Sequence, residues 1–367
     1  MKILFDARYI RTDHHDGISR YSLELARALF KLVHTTDDEL VFLIHTSAQQ
    51  KILPKSASVI NFHAPTSFKE PLSALLLNRY KFDVVFSPMQ TIGSIGKKFS
   101  LVLTIHDLIY YRHPTPPHQL AWPIRLGWRL YHVSFLPQRL LLKGATQIVT
   151  VSHTTRMQLT DKIGNTTPIK VVHNAAAHFK SKSIVAPSLS SQVNLIYMGS
   201  FMPYKNVETL IDSLKFLPQS TTLHLLSRIH PDREKRLRIR AGACSNRLVF
   251  HHGVSDREYA NLLADQALLV SASLDEGYGI PLAEAHTLGV PVVCSNIAIF
   301  NEVAGAGAEY FNPKDPLDIA EKVISAANPD RYRELSAQAK LQSQKFSWQK
   351  SAGELYRCLK AAAESHR

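Results

Sequence analysis

Leu274-Asp275-Glu276-Gly277-Tyr278-Gly279-Ile280-Pro281-Leu282-Ala283-Glu284-Ala285 joins two patterns of different period. Before it runs Ala267-Leu268-Leu269-Val270-Ser271-Ala272-Ser273, with the length and composition of a buried strand, and from Pro281 a helical pattern begins. The stretch is therefore a strand-to-helix turn. Pro281 suits the first helical position, because the N–H it lacks would have no intrahelical partner there. The N–H groups of Leu282, Ala283 and Glu284 are then expected to point out of the helix start unsatisfied. Gly277 and Gly279 keep Cβ atoms off the preceding backbone, so a ligand can approach its amides closely. Free amides and the positive end of a helix dipole together make an anion site.

Two carboxylates flank that site. Glu276 lies in the loop and Glu284 in the first turn, so one could accept hydrogen bonds from one hydroxylated ring and the other from a second ring across the anion. A nucleotide sugar has that shape. The competing reading is structural, with Glu284 complementing the helix dipole and Glu276 a solvated loop residue.

The chain around this turn is long enough for two or three domains, at 367 residues with 45% hydrophobic and 20% charged residues. No apolar run approaches the ~18 residues of a membrane span. Met1-Lys2-Ile3-Leu4-Phe5-Asp6 reads as a first strand, so no secretory signal is expected. Cys244, Cys294 and Cys358 are few, odd in number and outside any metal-ligand spacing, which suits a reduced, cytoplasmic setting. The formal charge of +13 sits almost wholly in the first half: residues 1–182 hold 23 Lys and Arg against 11 Asp and Glu. An acidic partner is expected there, such as a phosphorylated acceptor or an anionic membrane surface touched from the cytoplasmic side. Without a recognised motif, nucleic acid is not expected as a partner.

Working outward toward the N-terminus, strands are expected at residues 1–8, 40–45, 58–62, 84–88, 101–105, 147–152 and 169–174, alternating with helical segments. That alternation calls for a parallel sheet with helices on both faces, whose ligands sit beyond the carboxyl ends of the strands. His106 falls at such an end. Gly17 opens the first helix and offers a second phosphate-friendly turn, while His14 and His15 beside it lack the spacing of a metal site. From His118 to Lys143, Trp122, Trp128, Tyr131 and Phe135 mix with Arg125, Arg129, Arg139 and Lys143. Arg125, Arg129 and His132 recur on one side of a helix and Leu126, Leu130 and Val133 on another. The segment reads either as an ordinary covering helix or as a basic, aromatic surface for a lipid-linked acceptor or a membrane interface. Residues 175–192, rich in Ser, Lys and Ala, form the natural linker. Strands resume at 195–200, 222–227 and 249–253, with a capping box at Ser255-Asp256-Arg257-Glu258 and a closing helical pattern from Trp348.

Glu276-Gly277-Tyr278-Gly279-Ile280-Pro281 followed by Glu284, with seven residues between the glutamates, resembles the E-x7-E signature of the family-four retaining glycosyltransferases. The wording is most similar to that of bacterial polysaccharide mannosyltransferases. Gly289-Val290-Pro291-Val292-Val293, Asn301-Glu302-Val303 and His106-Asp107-Leu108 match further elements of the family. The resemblance implies an α/β fold of GT-B type: two Rossmann-like parallel-sheet domains facing across a cleft, at 1–180 and 181–347, with 348–367 a helix crossing back to the first. It implies that Glu284 binds the donor ribose, Glu276 the transferred sugar, and that Gly277, Tyr278, Gly279, Ile280 and Pro281 line the donor. Lys205 matches the family lysine that offsets the leaving diphosphate, and His106 and Gly17 would line the opposite wall. Where the family often carries arginines, this chain has Ser200 and Tyr204. No metal or other cofactor is expected. The implied reaction moves a hexose, mannose from GDP-mannose first, to a glycan or lipid-linked acceptor with retention. A nucleotide-sugar epimerase of the same fold and a non-catalytic glycan-binding scaffold are the alternatives.

Overall fold

The computed structural model describes all residues except 13–16, 117–121, 165–166, 178–184, 188–191 and 366–367. The expectations for His14 and His15, for the start of the His118–Lys143 segment and for most of the linker fall wholly or partly outside the described residues. The chain divides into two compact units, Met1–Ala175 with Ser347–Arg367, and Ala176–Phe346.

Among the described residues the first unit holds seven strands: β1 (Lys2–Asp6), β2 (Glu39–Ile44), β3 (Ser58–Asn61), β4 (Val84–Ser87), β5 (Ser100–Ile105), β6 (Gln147–Thr150) and β7 (Ile169–Val171). Every pairing is parallel, in the order β3-β2-β1-β4-β5-β6-β7. Ile3, Leu4 and Phe5 of β1 are fully buried, as are Val84, Val85 and Phe86 of β4. Helices cover both faces of such a sheet, so its central strands read as continuous apolar runs rather than alternating ones. One covering helix, Trp348–Glu364, comes from the far end of the chain. It packs along Gly17–Val33 and against β4 and β5, where Ser100 Oγ donates to the Ala362 carbonyl and Tyr356 to Asp38, both at 2.5 Å.

The second unit holds β8 (Val193–Tyr197), β9 (Thr221–Leu225), β10 (Leu248–Phe250), β11 (Ala267–Ser271), β12 (Val292–Ser295) and β13 (Ala308–Phe311). These too are all parallel, in the order β10-β9-β8-β11-β12-β13. Leu195, Tyr197, Leu223, Leu225, Leu268 and Val270 join Leu210, Ile211 and Val323 from the helices in one buried cluster. The strands stop earlier than the apolar runs suggest, because the last residues of each run belong to the loops that leave the sheet. Ser255 and Glu258 form the expected capping box, and Asp315 caps the Pro316–Ala327 helix through the N–H groups of Leu317 and Asp318. The basic run at 233–240 is tied down by ion pairs: Arg233 pairs with Glu208, Arg238 with Glu234, and Arg240 with Asp212. All three cysteines are buried free thiols.

Candidate active site

In the second sheet the chain order reverses between β8 and β11, which lie side by side with Leu268 opposite Leu195. Such a reversal is the place, beyond the strands' carboxyl ends, where open α/β sheets bind ligands. The β8 loop carries Ser200, Tyr204 and Lys205, and the β11 loop carries Glu276 to Gly279. Residues 71 positions apart in sequence are thereby brought to one place.

Lys205 Nζ and the Glu276 carboxylate form an ion pair there, with side chains only 16% and 13% exposed. Ser273 Oγ donates to the same Glu276 oxygen at 2.8 Å. The loops are fastened to each other by the Leu274 N–H, which donates to the Tyr204 carbonyl at 2.8 Å. Asn206, with φ +53°, turns the β8 loop into its helix, and its Nδ2 donates to the carbonyls of Ala272 (3.2 Å) and Pro313 (2.7 Å). Thr209 in turn donates to Asn206 Oδ1 at 2.6 Å. Asn206 thus buckles three loops at once and fixes the backbone on which Lys205 stands. Tyr204, at a position where the family often has an arginine, sets its ring 5.5 Å from Lys205 Nζ, within range of a cation–π attraction. Ser200 is exposed, and its carbonyl accepts from the buried Tyr197 hydroxyl at 2.6 Å. Burial first, then the Glu276 carboxylate, hold that phenol well above its ordinary pKa, so it stays a donor.

The helix after the turn spans Ile280–Leu288 and is capped by Gly279 at φ +93°. This corrects the expected start at Pro281 by one residue. The Gly279 carbonyl is already the first acceptor, taking the Leu282 N–H at 3.0 Å. Leu282 is therefore not a free amide, and Ala283 and Glu284 lie past the helix's first orphan donors. The amides at this helix mouth are those of Gly279 and Ile280, since Pro281 has none. A Cβ at Gly279 would meet Phe300 Cε1 at 2.9 Å, so shape and φ both require glycine. Glu284 is 3% exposed, and so is Tyr278, whose ring meets Phe346 edge-on at 6.0 Å. Burial, with the Glu302 charge behind it, pushes the Tyr278 hydroxyl well above the ordinary tyrosine range. Deeper in the helix His286 is 1% exposed and donates through Nε2 to the Gly307 carbonyl at 3.2 Å.

In the first unit the reversal lies between β1 and β4. His106 follows β5, its Nε2 bonds the Pro88 carbonyl after β4 at 2.8 Å, and its ring meets Tyr21 edge-on at 4.9 Å. Gly17 is the first residue of the Gly17–Val33 helix and is exposed. At the end of β1 stands a buried cluster that sequence reading did not assemble. The Arg8 guanidinium takes Asp6 on one edge (2.8 and 2.9 Å) and Glu70 on the other (2.8 and 2.8 Å). Burial opposes the Arg8 charge, but the two carboxylates outweigh it and hold its pKa above the usual value. The local pair Asp6-Ala7-Arg8 was a visible signal; Glu70 was not, being 62 residues away.

Residues 187–342 match the family model described as glycosyl transferases group 1. O-antigen chain mannosyltransferase B of Escherichia coli is 26% identical over 387 aligned positions, covering 95% of this chain and 97% of its own length. O-antigen chain mannosyltransferase RfbU of Salmonella typhimurium is 24% identical, with 82% and 84% covered. Among solved structures, Anabaena Alr3699/HepE in complex with UDP and glucose superposes with a TM-score of 0.73 at 18% identity, covering 98% of this chain and all of that one. WaaG, a glycosyltransferase involved in lipopolysaccharide biosynthesis, does so at 0.68 and 14%, with 97% and 99% covered.

Proposed function

We infer that this chain, a GT-B glycosyltransferase of the group 1 type, moves a hexose from a nucleoside diphosphate sugar to a glycan hydroxyl in polysaccharide synthesis, with retention of anomeric configuration. The observation that carries the reading is the Lys205–Glu276 pair beside the helix mouth at the reversal between β8 and β11. A cation, two free amides and two carboxylates there match the parts of a nucleotide sugar. In this reading the diphosphate lies against Lys205 and the Gly279 and Ile280 amides, Glu284 accepts from the ribose hydroxyls, and Glu276 accepts from the transferred hexose. Gly277, Tyr278, Pro281 and Ser200 line the donor. The first unit is assigned the acceptor, with His106 and Gly17 at the carboxyl edge of its sheet.

As the glycosidic bond to the donor breaks, negative charge gathers on the diphosphate. A fixed ammonium and fixed amides stabilise that charge without reorganising at the moment of reaction. Lys205 and the helix mouth thereby supply what a divalent ion would otherwise supply, and no metal is assigned a role.

Mannose from GDP-mannose is the proposed donor group, because the relatives matched over most of their length are named mannosyltransferases. The test is a thermal-shift screen of nucleoside diphosphate sugars, followed by transfer assays with the stabilising donor, with and without EDTA. We expect stabilisation by GDP-mannose, an α-linked product by NMR and a rate unchanged by EDTA. A β-linked product would overturn retention. A rate abolished by EDTA and restored by a divalent ion would overturn the metal-free assignment, and stabilisation by another donor alone would replace mannose.

A further inference from the structure

The proposed transfer leaves one part of the first unit unused. Between Asp107 and Asp161 the sequence has no Asp or Glu, yet it carries Arg112, Arg125, Arg129, Arg139, Lys143 and Arg156. Among the helices described in this stretch are Trp122–His132 and Leu136–Leu142. One side of the first is accounted for: Trp128 meets Tyr110 edge-on at 4.9 Å, and His132 lies against Trp128 at 4.1 Å and Tyr111 at 5.0 Å. The other side is apolar and uncovered. Trp122, Leu126 and Leu130 recur every four residues and Val133 follows in phase, so they share a face. Their exposures are 75%, 51%, 66% and 79%. Leu136 and Leu140 continue the pattern on the next helix at 61% and 56%.

A helix that turns Trp128 and His132 inward and Trp122, Leu126 and Leu130 outward is not an ordinary covering helix, whose apolar face is its inner one. Exposed apolar patches of this kind mark interaction surfaces. The charge around the patch selects the occupant. Arg129, Arg139 and Lys143 are exposed beside it. In a two-fold contact with a second copy they would face their own equivalents, with no acidic residue anywhere in the stretch to balance them. Anionic lipid headgroups supply that balance, and an acyl boundary accepts the aliphatic face.

We propose that this face docks on an anionic lipid bilayer, lying in the plane of the interface with Trp122, Leu126 and Leu130 in the acyl boundary and the basic side chains against headgroup phosphates. The inference stands apart from the glycosyl-transfer reading, since it uses none of the donor-site residues. Flotation of the full chain with phosphatidylcholine vesicles, and with vesicles containing about one third phosphatidylglycerol, tests it. We expect co-flotation with the anionic vesicles only, falling at least about tenfold at high salt. Leu126→Glu/Leu130→Glu alters side chains already in solvent and should lose binding at least about tenfold, with transfer to a water-soluble acceptor unchanged. Arg129→Ala/Lys143→Ala should weaken binding and its salt dependence together. Equal flotation with neutral vesicles, or undiminished flotation of the leucine double variant, would overturn the proposal. So would a dimer in sedimentation velocity that this variant splits, with no lipid binding by the wild type.

Discussion

Lys205 and Glu276 hold each other, so a donor entering the crevice competes with an existing ion pair and each partner leaves a charge behind when the other is removed. Lys205→Ala should lower kcat/KM on the order of 100-fold, the range for losing a group that stabilises developing charge. Glu276→Ala should lower it on the same order, by leaving the hexose unheld and Lys205 without the carboxylate that positions it. Because the two act on one site, the double variant should fall well short of the product of the single losses in initial-rate assays. A near wild-type rate in either single variant would remove that residue from the site. His286 makes a different prediction. Burial holds its pKa down to about 4 from an ordinary 6.5, so the unfolded chain takes up the proton first as the pH falls. Stability is complete above about pH 6.5 and declines toward pH 4, by at most about 3 kcal/mol from this residue. His224, also lowered to about 4 by burial and by His251, adds a loss of the same sign. Urea midpoints measured at pH 7.5 and 5 should separate, and His286→Gln should narrow the gap.

At the scale of elements, the strand, turn and helix across 267–288 were legible because a parallel strand buried on both faces is written as an apolar run. Glycines and a proline then mark where it ends. The helix start was misplaced by one residue because Gly279 lends its carbonyl from a left-handed conformation that the sequence permits but does not announce. The role of Asn206 is hidden for a similar reason: its partners, Ala272 and Pro313, lie 66 and 107 residues away, and no local pattern reports them. The outward face of Trp122–His132 was readable as a period, but which side is covered is decided by Tyr110 and Tyr111, which meet Trp128 and His132. Asn206→Gly keeps the positive φ and removes the buckle, at about 1–3 kcal/mol for the part-buried carbonyls of Ala272 and Pro313 that lose this donor. Calorimetric titration of the nucleoside diphosphate should show affinity falling in this variant while the fold, by circular dichroism, persists. Unchanged affinity would mean that the β8 loop does not need the buckle to hold Lys205.

At the scale of the molecule, the charge surplus and the E-x7-E signature sit in different halves of the sequence, and each half builds its own parallel sheet with a reversal of strand order, where open α/β sheets bind ligands. The units are not two simple consecutive stretches, since Ser347–Arg367 belongs with Met1–Ala175. Trp348, Leu355 and Leu359 are buried in the first unit, each burial worth about 2 kcal/mol, and Ser351 donates to the His173 carbonyl at 2.6 Å. Removing residues 347–367 should therefore loosen the first unit while sparing the second: limited proteolysis is expected to cut within 1–175 at least about tenfold faster, with 176–346 still resistant. Equal lability of both halves would show that the helix supports more than its own unit. The same arrangement orders events during translation. Residues 176–346 can close their sheet as soon as they clear the ribosome, whereas the earlier-made half waits, incomplete, until the last helix emerges. Its uncovered strands are then exposed to chaperones or to neighbouring nascent chains for the time needed to make nearly half the polypeptide.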